Sequence, residues 1–140
     1  MRSPRDRPYH LALLAEASAK VGQTTEGLEA LAEALALLAT SGVRWWEAEL
    51  YRLRGALLLQ GTVAQPEEAE ACFHQALAVA RRQQAKSLEL RAVMSLSRLW
   101  QRQGKRTEAR QLLEEIYGWF TEGFDTADLQ DARALLEGLT

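Results

Sequence analysis

Small and bulky residues recur in register along this chain at intervals of 40 to 42 positions. Ala15, Gly55 and Ser97 form a small-residue set, spaced by 40 and 42. Leu31, Phe73 and Leu113 form a bulky set, spaced by 42 and 40. Four residues before each bulky residue stand Gly27, Ala69 and Ala109; three residues after stand Ala34, Ala76 and Ile116. A small residue where two helices cross lets their backbones approach, and a bulky one a turn away fills the space beside it. Repeated three times, this alternation describes a two-helix unit that buries its apolar face only by stacking on its neighbours.

The local pattern agrees. Apolar residues recur three and four apart, as in Leu28, Leu31, Leu35 and Leu38, in Trp46, Leu50, Leu53 and Leu57, and in Leu96, Leu99 and Trp100. The chain has 24 Leu and 23 Ala against five Val and one Ile, which favours helices over strands. Breaks fall at Gly22, Ser41-Gly42, Gly61, Gly104 and Gly123, where glycine can end a helix in the left-handed conformation. The break near Gln84–Lys86 has no glycine. Thr24 before Glu26, Pro66 before Glu67 and Glu68, and Asp125 or Thr126 before Asp128 mark helix starts. These signals predict helices at 9–21, 24–41, 44–60, 66–84, 86–103, 106–120 and 126–138. The expected organisation is a flexible basic tail at 1–8 and one domain at 9–140, with repeats at about 9–41, 44–84 and 86–120.

Several functions are disfavoured. The chain of 140 residues has no run of 18 uncharged apolar residues that would cross a membrane. No apolar signal segment follows the basic N-terminus, so the expected location is the cytoplasm. Cys72 stands alone, and the two histidines, His10 and His74, lie 64 residues apart without a ligand-spaced partner. Gly104-Lys105 lacks the earlier glycine of a phosphate loop, since that position is Leu99. No catalytic residue, metal or cofactor is expected, and an enzyme is not. The net charge of −2 argues against nucleic acid.

The repeated positions resemble the tetratricopeptide-repeat family. The second repeat carries the resemblance at Tyr51, Gly55, Gly61, Ala69, Phe73 and Ala76; the third at Leu96, Gly104, Ala109 and Leu113; the first at Leu14, Gly22, Leu31 and Ala34. The period is near 41 rather than 34, and the pattern's closing proline is absent. Segments such as LALLAEASAKVGQTTEGLEALAEALAL (11–37) and LWQRQGKRTEARQLL (99–113) look like the C-terminal tetratricopeptide tail of large bacterial regulators. Those regulators join cyclase-like, kinase-like or DNA-binding modules to an AAA/STAND-type ATPase. The resemblance implies an all-α, right-handed superhelix of three antiparallel helix hairpins, with residues 126–138 as a C-terminal capping helix. It also implies a non-catalytic protein–protein interaction module that presents a concave face to a peptide or domain. None of the upstream enzymatic modules is present, so their activities do not transfer.

Projection of the repeat places Glu49, Arg52 and Ala56, then Arg91, Met94, Arg98 and Arg102, on the inward face as the candidate peptide groove. Residues 91, 98 and 102 are seven and four apart, hence on one helical face. Arginines in a row suit carboxylates, which they clamp bidentately, and so predict an acidic partner. The family's carboxylate-binding members use Lys and Asn at such positions; this chain has no Asn.

Residues 81–110 carry nine Lys/Arg and two acids, whereas 111–140 carry one Arg and seven acids. The two segments are expected to pack side by side and pair. Trp45 and Trp46 point about 100° apart on a helix, so Trp46 joins the Leu50 stripe and Trp45 lies elsewhere. Tyr117, Trp119, Phe120 and Phe124 are expected to dock the last helix. The alternative function is self-association, as the dimerisation segment of a larger cyclase or ATPase regulator. It would act through an uncapped N-terminal hairpin around Leu11 and Leu14.

Overall fold

The computed structural model describes residues 7–41, 44, 46–61 and 64–140. They form seven helices and, among the described residues, no strand. The helices are α1 (Arg7–Lys20), α2 (Thr24–Ser41), α3 (Glu47–Gln60), α4 (Pro66–Arg82), α5 (Lys86–Arg102), α6 (Arg106–Tyr117) and α7 (Ala127–Leu139). The chain is therefore all-α. Helix α1 begins inside the expected tail: Arg7 and Pro8 lie in its first turn, where a proline sacrifices no intrahelical hydrogen bond. Helix α3 starts three residues later than expected, behind Trp46, and α6 ends three residues earlier, at Gly118. Gly42 and Trp45 lie outside the described residues.

Three of the connections are the same turn. Gly22 and Gly104 adopt φ of 78° and 82°. The following amides of Gln23 and Lys105 donate to Ser18 O and Trp100 O, at 2.8 Å each. This is the paired closure that satisfies the last carbonyls of a helix, and it requires a left-handed residue. At the break without glycine, Gln84 takes that conformation at φ 55°, and Ala85 N donates to Ala80 O at 2.9 Å. Gly61 departs from expectation: it ends α3 in an extended conformation, φ −61° and ψ 170°.

Each connection folds a helix back on its predecessor, and the repeated small residues sit at the crossings. A Cβ on Gly55 would lie 2.5 Å from Phe73 Cε1 and 3.0 Å from Ala69 O, so only hydrogen fits there. A Cβ on Gly27 would lie 3.4 Å from Ala15 O. Ser97 Oγ donates to Ala109 O at 3.3 Å. The pairs 15–27, 55–69 and 97–109 are thus the same crossing in three hairpins. Leu31, Phe73 and Leu113 beside them are fully buried.

The hairpins stack in series. Every helix packs on the next one in sequence. In addition α1 touches α3, α3 touches α5 and α5 touches α7, whereas among the described residues no even-numbered helix touches the next even-numbered one. The odd helices therefore form a continuous row. Burial follows the same order: one cluster joins α1, α2 and α3, a second joins Leu58, Phe73 and Leu96, and a third joins α4 to α7. Helix α7 adds a fourth member to the odd row and buries Leu129, Ala132 and Leu139.

Candidate functional site

A groove of about 680 Å3 runs along the odd row. Glu16 and Lys20 of α1, Arg52, Ala56 and Gln60 of α3, and Ser95, Arg98 and Arg102 of α5 form its sides; Leu53, Leu99 and Phe73 form its floor. Its side chains follow the repeat. Glu16, Ala56 and Arg98 occupy one equivalent position, and Lys20, Gln60 and Arg102 the next turn of the same face. The crossings that let the odd helices sit close together thus also align these side chains.

Four cations face one carboxylate across the groove. Glu16 pairs weakly with Lys20 at 3.8 Å, both largely exposed. Gln60 Nε2 donates to Ala19 O at 2.5 Å and ties α3 to α1. Arg98 and Arg102 are exposed and have no ion-pair partner among the described residues. Arg52 is held differently. Its Nε and Nη2 donate to Glu49 Oε1 and Oε2, at 2.8 and 2.9 Å.

Glu49 is only 1% exposed and anchors a wider network. Its Oε2 lies 3.5 Å from Arg91 Nη1, and Arg91 Nε donates to Asp128 Oδ2 at 2.8 Å. The chain Arg52–Glu49–Arg91–Asp128 links α3, α5 and α7. A carboxylate out of water is tolerated only when paired and hydrogen-bonded, and two guanidiniums meet that need. Burial alone would lower the Arg91 guanidinium; the hydrogen bond to Asp128 and the charge of Glu49 outweigh it, and the group sits above its ordinary value. Arg52 is consequently fixed in direction, with a guanidinium edge at the groove.

Three expected groove residues do not line it. Glu49 lies beneath Arg52, and Met94 is buried in the cluster that contains α7. Arg91 shares the helical face of Arg98 and Arg102, but α7 covers that face at the start of α5 and takes Arg91 into an ion pair. Arg52, Arg98 and Arg102 are therefore together, and Arg91 is apart from them. Lys20, Gln60 and Ser95 were missed, although the spacing of Lys20 and Gln60 from Arg102 pointed to them.

Other expectations resolve case by case. The basic and acidic segments meet through Arg91–Asp128, and Arg110 lies 3.7 Å from Glu114. Arg81 and Lys86 instead pair with Glu89 inside the basic segment. Trp46 packs against the α1–α3 cluster with Leu50 and Leu53. Tyr117 and Phe120 pack against the cluster that holds α7. Phe124 is partly exposed, lies against the Tyr117 ring at 5.8 Å and borders a hollow with Gln130 and Ala134 of α7. Trp119 is exposed, meets Phe120 edge-on at 5.2 Å and has Lys86 Nζ 5.4 Å above its ring.

Titratable groups elsewhere are occupied structurally. Burial pushes the Cys72 thiol above its ordinary value, against the pull of Arg54, whose Nη1 lies 3.5 Å from the sulfur. It is a neutral thiol, and the thiolate is the nucleophile. His74 Nε2 lies 3.4 Å from Glu70. Among the described residues no three His, Cys, Asp or Glu side chains converge as a metal site needs. Among the described residues no helix is long and apolar enough to cross a membrane. Compared with known proteins, the chain matches no family model and no curated protein.

Proposed function

We propose that this chain is a non-catalytic interaction module of the tetratricopeptide type, a right-handed stack whose groove takes an extended acidic segment of a partner protein in the cytoplasm. The observation that carries this reading is the alignment of Arg52, Arg98, Arg102 and Lys20 around one open groove, with Arg98 and Arg102 unpaired among the described residues. Exposed guanidiniums over an apolar floor offer charge-assisted hydrogen bonds to carboxylates and burial to the side chains between them. Arg52, pre-set by Glu49, loses little freedom on binding. The tail of a multidomain signalling or transcriptional regulator is the setting such a module suits.

The test is a calorimetric titration of the full chain with a 12-residue Glu/Leu peptide and with its Gln/Leu counterpart. The acidic peptide binds more tightly, and R98E/R102E weakens it at least about tenfold, or about 1.4 kcal/mol. The binding also falls steeply with salt. Equal affinity for both peptides, or no effect of the double variant, would refute the acidic-groove reading.

A second reading, self-association, is favoured by one observation: Leu13 and Leu14 are 44% and 53% exposed on the outer face of α1, and Val21 just beyond it is 69% exposed. Sedimentation over a concentration series separates it from the first.

A further inference from the structure

The outer face of α1 is a docking position by the logic of the stack. Leu13, Leu14 and Ala17 share one side of the helix, and Val21 follows just beyond its end. In the repeat register Leu13 corresponds to Leu53, which is buried against Leu11, Ala30 and Leu31 of the preceding hairpin. Leu14 corresponds to Leu96, buried against Leu58, Ala69 and Phe73 of the preceding hairpin. Ala17 corresponds to Leu57 and Leu99, both buried. In the second and third hairpins, therefore, four of these six positions are where an odd helix meets the helices before it; the other two are Ser95, which lines the groove, and Arg54, which reaches Cys72. In the first hairpin they face out.

The charges beside this stripe choose its occupant. A shallow hollow at the face is lined by His10, Leu13, Leu14, Glu26, Glu29 and Ala30. Helix α2, which borders it, carries Glu26, Glu29 and Glu33 and no Lys or Arg. A second copy docked face to face would bring two such acidic borders together. The opposite end of the stack offers no remedy, because α7 carries Asp128, Asp131 and Glu137 against one Arg133. Like charges brought together across an interface oppose association.

We infer that the α1–α2 face binds a basic amphipathic helix of a partner protein, with an apolar stripe on Leu13 and Leu14 and a Lys/Arg flank along Glu26 and Glu29. The site is independent of the acidic-segment groove and has the opposite charge preference. The partner helix continues the stack as a preceding helix would.

The experiment uses the full chain and two synthetic 18-residue helices with the same Leu/Ala stripe, one flanked by Lys and Arg and the other by Glu. Fluorescence anisotropy reads the affinity, and circular dichroism monitors the fold. The basic helix binds at least tenfold more tightly than the acidic one. L14D and, separately, E29K each weaken it several-fold without changing helicity; both side chains are exposed, so both variants fold. Equal affinity for the two helices overturns the inference, as does binding indifferent to L14D. A concentration-dependent dimer that L14D dissolves also overturns it, because a second copy then covers the face. A tighter acidic helix would report groove binding instead and would likewise overturn it.

Discussion

The first and third hairpins share a crossing and differ at their outer ends. Ala15 meets Gly27 as Ser97 meets Ala109, and Leu31 is buried as Leu113 is. Beyond the third hairpin, α7 covers Met94, Leu113 and Ile116 with Leu129 and Ala132. Beyond the first, Leu13 and Leu14 stay exposed. A stack of like units has two end faces that no internal contact satisfies, and each needs its own solution. At the C-terminal end the solution is intramolecular and is fastened by Arg91–Asp128. At the first hairpin Leu13 and Leu14 stay exposed beside the acidic side chains of α2.

The largest expected break in this comparison is at the covered end. Leu129→Ala removes a buried side chain from the α7 contact and should cost about 2 to 4 kcal/mol in urea unfolding. A loss below about 1 kcal/mol would mean that α7 is only loosely seated. A smaller effect of opposite sign is expected between the second and third hairpins. Gln84 holds a left-handed conformation that Gly22 and Gly104 adopt in the equivalent turns. Gln84→Gly should therefore raise stability by about 1 kcal/mol, read as a higher melting temperature. The smallest effect belongs to the open end: Leu14→Ala should change stability by less than about 0.5 kcal/mol. A larger loss would show that the face is covered in solution and would remove the contrast.

Much of the architecture was legible because it rests on short-range rules. Glycine turns, proline at the start of α4 and the three-and-four spacing of leucines act within one or two helical turns. The crossings at 15–27, 55–69 and 97–109 were legible for a different reason: the same physical demand recurs, so the register repeats. The groove was legible in half. Arg52, Arg98 and Arg102 follow from helical phase, and Lys20 and Gln60 were available from the same register. Glu49 and Met94 were misplaced because helical phase says which side a residue takes, not what lies on top of it.

Sequence alone determined that this chain is helical, where its turns fall, and which small residues must lie at helix crossings, since those depend on backbone conformation and side-chain size. Tertiary structure alone decided that α7 joins the odd row, burying Met94 and drawing Arg91 to Asp128. It alone decided that Glu49 is withdrawn from water to hold Arg52. Burial and ion pairing depend on what neighbours arrive from distant parts of the chain, and a helix's own periodicity carries no record of them.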